Sequence, residues 1–99
     1  METEWRDRND ESLDALRRLV GGLSPADLEL DAGEGWPVRV VLAHMAYWDR
    51  FQTAQLARWD ERGFRLQPWF DSDHLNVAAL VDWRAVPAER AKQEVLRAA

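Results

Sequence analysis

His44 is the residue in this sequence with the most obvious capacity for chemistry, and it is one of only two histidines. A neutral imidazole can bind a divalent metal or carry a proton near neutral pH. If the segment is helical, His44 lies on the same line along the helix surface as Val41, Trp48, Phe51 and Gln55. A lone histidine on an apolar helical line is more often a core side chain with one satisfied nitrogen, so that interpretation stands beside metal ligation.

Aromatic residues near His44 are candidates for the walls of a small-molecule pocket. Trp48 and Phe51 lie on the histidine line, and Trp69 and Phe70 lie in a later loop. Gln55 could hydrogen-bond either a ligand or the imidazole itself. A metal set made of His44, His74 and a carboxylate such as Asp73 is a further hypothesis.

Asp49 is the other titratable residue of interest, because it falls near the middle of the apolar arc of the same stretch. An unpaired carboxylate in such a place is costly, so we expect a cationic partner from another helix. The candidate partners are Arg17, Arg18 and Arg84. This structural ion pair is favoured over the alternative of a catalytic acid.

Several classes of chemistry are disfavoured by composition. The chain has no cysteine, which removes thiolate nucleophiles, disulfides and cysteine-type zinc sites. No glycine-rich phosphate loop, HExxH pattern or Ser/His/Asp order occurs. The formal charge of −5, with arginines dispersed among acids, disfavours nucleic-acid binding. We find neither a long apolar run nor a basic leader, so we expect no membrane span and a cytoplasmic protein.

The elements that position these residues are predicted to be helices, because apolar residues recur at spacings of three and four and no strand-like alternation is present. An amphipathic first helix containing Trp5 and Leu16 should end at Gly21-Gly22. Ser24-Pro25-Ala26-Asp27 combines a cap, a first-turn proline and an acid, which predicts a short helix through about Leu30. A glycine-containing turn, residues 31–35, follows.

The central element is the stretch from Pro37 to Arg62, predicted as one helix that begins with Pro37 at its first position and ends at Gly63. Apolar residues occupy well over half of its circumference, whereas Arg39, Arg50 and Glu61 share one narrow strip. A helix this apolar is expected to be enclosed by other helices.

Two further helices are predicted after an aromatic loop, residues 64–70, that we expect to fold over the mouth of the bundle. Asp71-Ser72-Asp73 offers cap oxygens for a third long helix that runs to about Val86. Pro87 should separate it from a fourth, in which Arg90 and Glu94 can pair one turn apart. The predicted apolar lines are Leu75, Ala79, Leu80, Trp83 and Val86 in one helix, and Ala88, Ala91, Val95 and Ala98 in the other.

The fold class predicted by these patterns is all-α, with residues 1–99 forming a single domain. The fourth helix is short and its apolar line is weak, so part of the central helix should be left uncovered. We therefore hypothesise that the chain is a fragment or that a second copy covers the gap.

The stretch GWPVRVVLAHMAYWDRFQTAQLARWDERG resembles the second-helix signature of the DinB-like superfamily, which includes mycothiol-dependent maleylpyruvate isomerase N-terminal domains and DfsB-type bundles. The matching residues are Trp36, Pro37, His44 and the cluster Trp48-Asp49-Arg50. The later stretch Asp71-Ser72-Asp73-His74-Leu75-Asn76, followed by Trp83-Arg84, is similar to the opening of the family's third helix. The resemblance covers nearly all of this chain but only about the first two thirds of a typical member.

The resemblance implies an up-down four-helix bundle, often dimeric, in which three histidines hold a divalent metal such as zinc or nickel. His44 matches the first of these ligands, the other two have no counterpart, and His74 matches neither. The leading interpretation is therefore a DinB-like domain, related to metal-dependent thiol-transferases, isomerases or hydrolases, with a partial metal site and a small-molecule or thiol substrate. The alternative is a non-catalytic helical domain that forms a homodimer or binds a partner through its exposed apolar face.

Overall fold

A computed structural model describes residues 2–65 and 70–99 of the chain, with side chains from Thr3 onward. In this part of the chain the fold is all-α, as predicted, and no strand is formed. The helices are α1 (Glu2–Gly21), α2 (Pro25–Leu28), α3 (Val38–Arg62), α4 (Ser72–Arg84) and α5 (Ala88–Ala98).

The two N-terminal helices end and begin where the sequence predicts. α1 ends at Gly21, and α2 starts with the expected capping box, in which Ser24 and Asp27 satisfy each other's backbone N–H groups. The Asp27 backbone N–H donates to Ser24 Oγ at 3.1 Å, and the Ser24 backbone N–H donates to Asp27 Oδ2 at 2.9 Å. These hydrogen bonds hold the pKa of Asp27 below its ordinary value.

The central helix α3 begins one residue later than predicted. Pro37 is its N-cap, with extended backbone, and not its first helical residue. The helix ends at Gly63, where φ is +83°, a conformation that glycine adopts without steric cost. The Gly63 N–H donates to the carbonyl of Trp59 at 2.8 Å.

α4 and α5 flank α3 along two of its sides. α4 runs antiparallel to α3, since Trp48 meets Asn76 while Arg39 meets the carbonyl of Arg84. α5 runs in the same direction as α3, because its first turns pack on Ala46 and its last turn reaches Ala57. α4 ends at Arg84, two residues short of the predicted end, and Asp71 caps its start as expected.

The core consists of two clusters on neighbouring faces of α3, and Val86 packs against both of them. One joins α1, α2, α3 and α5 and contains Val20, Leu28, Leu42, Ala46, Ala91 and Val95. The other joins α3 to α4 and contains Val40, Ala43 and Trp83. The predicted apolar lines of α4 and α5 are therefore the faces that pack, because every one of their members is buried or half-buried.

The expectation that α3 would be enclosed by other helices is only half correct. All of its buried residues lie between Val40 and Ala46, and none lies in the half from Gln52 to Arg62. α1 contributes little cover, since only its last turns, with Leu16 and Val20, join the core. A third side of α3 is left without a neighbouring helix among the described residues. The four long helices are present, but α1 does not lie along α3.

Candidate functional site

His44 lies in the second turn of α3, where it is held between two tryptophans from different segments. Its ring meets Trp36, from the turn before α3, at 5.4 Å between centroids, and Trp83, from the last turns of α4, at 5.0 Å. Both contacts are edge-to-face. Half-burial in this apolar setting lowers the pKa of His44 from its ordinary value, so the imidazole is neutral at pH 7.

A continuous row of aromatic side chains extends from His44 along the α3–α4 boundary. Trp83 contacts Tyr47 at 5.5 Å, Tyr47 contacts Trp48 at 5.4 Å, and Trp48 contacts Phe51 at 5.3 Å between centroids. Phe70 stacks on Trp48 at 6.1 Å, with an angle of 10° between the rings. The structure therefore brings together three of the predicted pocket residues, Trp48, Phe51 and Phe70.

The remaining predicted pocket residues do not add to this row. Trp69 lies outside the described residues. Gln55 is half-buried one turn beyond Phe51 and makes no hydrogen bond within the described ranges. The polar contact that sequence reasoning missed is the Trp48 indole Nε1–H, which donates to Asn76 Oδ1 at 2.9 Å. This bond joins the two stretches on which the family resemblance was based.

The metal site implied by the resemblance is not formed by the residues that the structure describes. Within them, no group of three His, Cys, Asp or Glu side chains lies close enough to hold an ion. His74 and Asp73 belong to the exposed first turn of α4 and do not form such a group with His44. The two tryptophan rings that touch His44 have no lone pair to donate to a metal, so these described neighbours do not supply further ligands.

The ion pair predicted for Asp49 is also not formed within the described part of the chain. Asp49 is half-buried, and Arg17 instead pairs with Asp14 inside α1. Asp49 keeps part of its surface in contact with solvent, so water can solvate the carboxylate and no partner is required.

Two of the three residues of the predicted charged strip of α3, Arg39 and Arg50, bind groups of other helices, whereas Glu61 is exposed. Arg39 donates through Nε to Glu29 at 3.0 Å and through Nη1 to the carbonyl of Arg84 at 2.8 Å, which ties α2, α3 and α4 together. Arg50 pairs with Glu94 of α5, and Arg90 lies 3.6 Å from the same carboxylate, so the predicted Arg90–Glu94 pair is present. Arg50, Arg90 and Glu94 line a cleft of about 350 Å³ together with several alanines.

An uncovered apolar surface lies on the third side of α3, and we call it the outer strip. Met45 is 37% exposed and Leu56 is 61% exposed, and the strip also carries half-buried aliphatic and aromatic residues. Its five members lie within about 60° of the helix circumference and extend over about 27 Å. They are Val41, Met45, Gln52, Leu56 and Trp59. At its end Phe64, 69% exposed, packs on Trp59 at 4.9 Å.

A second, smaller apolar surface lies on the outer face of α4. Val77 is 71% exposed and Val81 is 72% exposed, one turn apart. This surface covers little more than one helical turn and carries no aromatic residue. It therefore serves as a natural comparison for the outer strip.

The chain as a whole exposes more surface than a compact monomer of its mass. Its accessible surface is 7615 Å² for 11.5 kDa, against about 5,800 Å² for a typical folded monomer. Its radius of gyration is 15.5 Å, whereas about 12.6 Å is usual for this length. Two regions can produce this excess. One is the free part of α1, which precedes the last turns that join the core, and the other is the bare half of α3, from Gln52 to Arg62, which has no buried residue.

No family model matches this chain, and no curated protein or solved structure was found to be similar to it. No helix in the described ranges combines the length and the apolar character needed to cross a membrane.

Proposed function

We propose that this chain is a DinB-like helical domain whose function is association, and that it forms a homodimer through the outer strip of α3. The observation that carries the proposal is the strip itself, where Met45 and Leu56 remain exposed on α3 and Phe64 remains exposed just beyond the end of that helix. Exposed contiguous apolar surface of this extent marks interaction sites in soluble proteins. The second copy would cover the third side of α3, since α4 and α5 cover the other two sides.

The excess accessible surface supports an interface of the right size. The surplus over a compact monomer is about 1,800 Å², to which the free part of α1 also contributes, and one subunit of an obligate homodimer buries roughly 1,000–2,500 Å². Obligate interfaces are also the more hydrophobic ones, which agrees with the aromatic pair Trp59 and Phe64 at one end of the strip. The smaller patch on α4 could not supply this area.

The proposal is tested by measuring mass in solution as a function of concentration. Sedimentation equilibrium of the unaltered chain should give twice the subunit mass of 11.5 kDa. Leu56→Glu should shift the chain to monomer, because each twofold interface receives the buried charge twice. Val77→Glu, equally polar but on the outer face of α4, is the matched control and should leave the dimer intact.

Two results would contradict this function. A chain that stays monomeric at high concentration and does not bind a hydrophobic dye at the strip has no association surface there. A dimer that dissociates with Val77→Glu but survives Leu56→Glu places the interface on α4 instead.

A second candidate function is that of a DinB-type, metal-dependent enzyme domain, and one observation supports it. The two stretches behind the family resemblance meet in space: His44 touches Trp83, and Trp48 bonds to Asn76. A neutral, half-exposed imidazole is also the protonation state in which histidine binds metals. Any complete site would need further ligands from outside the described residues.

The test of this second candidate is titration of the purified chain with zinc or nickel, followed by calorimetry. Binding that is lost in His44→Ala and retained in the matched His74→Ala variant would support a metal position at His44. Equal binding by both variants, or no binding by the unaltered chain, would remove it.

A further inference from the structure

We infer that the two copies pair with their α3 helices antiparallel, about a twofold axis that passes beside Gln52. This inference rests on the proposed homodimer and specifies which residues meet within it. In this register residue 45 of one copy faces residue 59 of the other, and residue 52 faces its own counterpart. The direction and register follow from the sizes and polarities of the side chains along the strip.

Side-chain size favours the antiparallel direction. Parallel pairing about a twofold axis along the helices would set Trp59 against Trp59 and Met45 against Met45. The two bulkiest residues would then clash at one end, and the smaller ones would leave a gap elsewhere. Antiparallel pairing sets Met45 of each copy against Trp59 of the other, so that a large ring meets a flexible chain at both places. Alternation of large and small residues across an interface is what allows close packing.

Polarity fixes the register. Gln52 is the single polar member of the outer strip and is exposed in the isolated chain. Buried in an interface, its amide would need a hydrogen-bond partner. On the twofold axis it meets its own copy, and two amides can donate to and accept from each other. A shift by one helical turn would leave both amides against apolar side chains and without partners. One buried amide specifies the register of coiled coils in the same way.

The uneven cover along α3 points in the same direction. The half from Gln52 to Arg62 has no buried residue, whereas the half from Val38 to Phe51 is supported by α4 and α5. Antiparallel pairing lays each bare half on the supported half of the other copy. It also brings Phe64 toward the exposed Leu30, which is bonded through its carbonyl to the backbone N–H of Val38 at the start of α3. Parallel pairing would leave the two bare halves supported only by each other.

Disulfide trapping tests the arrangement cleanly, since the chain contains no cysteine of its own. A disulfide forms only when two Cα atoms approach within about 7 Å. Gln52→Cys should cross-link to itself rapidly. In the antiparallel register two copies of Leu56→Cys lie about 12 Å apart along the axis and two copies of Met45→Cys about 21 Å apart, so neither variant should cross-link alone. A mixture of Met45→Cys and Trp59→Cys should form the mixed disulfide.

Val77→Cys on α4 supplies the background rate of random collision, and the expected Gln52→Cys rate exceeds it at least about 10-fold when the geometry of a disulfide is met. Self-linking of Met45→Cys or Leu56→Cys as fast as that of Gln52→Cys would overturn the antiparallel pairing while leaving the homodimer in place. Background rates for every strip variant, together with a sedimenting mass of 11.5 kDa, would overturn the homodimer itself.

Discussion

The two halves of α3 differ sharply in what surrounds them, although they belong to one uninterrupted helix. From Val38 to Phe51 the helix has neighbours on two sides and contains four buried residues, and from Gln52 to Arg62 it contains none. Helix length explains the difference. α3 has 25 residues, but α4 has 13 and α5 has 11. At about 1.5 Å per residue, neither neighbour reaches along the whole of α3.

This comparison shows that apolar character alone does not place a helical residue in the core. Leu42 and Leu56 occupy related positions in the same helix, yet Leu42 is buried and Leu56 is mostly exposed. The first contributes to folding of the chain, and the second is available for association. Three pairs of variants can sharpen or break this distinction. Each pair has one residue in the packed half of α3 and one matched residue at an exposed position.

The largest effect is expected for Leu42→Ala. Removing a buried leucine side chain from the main core should lower the free energy of unfolding by about 3 kcal/mol. The matched Leu56→Ala variant should change it by less than about 0.5 kcal/mol when the chain is dilute enough to be monomeric. Urea denaturation followed by circular dichroism measures both. Equal losses at high dilution would mean that the two halves are packed alike.

A smaller effect is expected for Arg39→Gln. Its guanidinium joins the Glu29 carboxylate and the carbonyl of Arg84, and loss of these charge-assisted bonds should cost about 1–2 kcal/mol. Arg58→Gln removes the same charge from the bare half, where the side chain is exposed, and should cost less than about 0.5 kcal/mol. If thermal melting cannot separate the two variants, Arg39 does not tie α2, α3 and α4 together.

The smallest effect concerns pH. Because burial lowers the pKa of His44, the unfolded chain binds the proton more readily than the folded one. The contribution of His44 is therefore fully present above its unfolded pKa of about 6.5 and declines as pH falls through that value toward the lower folded pKa. His44→Gln should flatten the fall in melting temperature between about pH 7 and 5, and His74→Gln, in the exposed first turn of α4, should not. Parallel pH profiles for the unaltered chain and His44→Gln would contradict the half-buried position of the ring.

Much of the fold could be predicted from sequence because its determinants are local. Ser24 and Asp27 specify the start of α2 within one turn, and Gly63 and Asp71 mark the end of α3 and the start of α4. The candidate site was less predictable. Spacing placed His44, Trp48 and Phe51 on one line, but it could not indicate that Trp36 and Trp83 would enclose the imidazole or that Asn76 would accept the Trp48 N–H.

The sequence by itself determined the helices, their caps and the side of α4 and α5 that packs, since hydrogen bonds and apolar periodicity act over a few residues. Only the tertiary structure decided that Arg50 meets Glu94, that Asp49 forms no ion pair in the described chain, and which side of α3 has no neighbour there. These outcomes depend on where helices of unequal length end relative to one another. That relative placement is a property of the packed chain and is not encoded in the periodicity of any single segment.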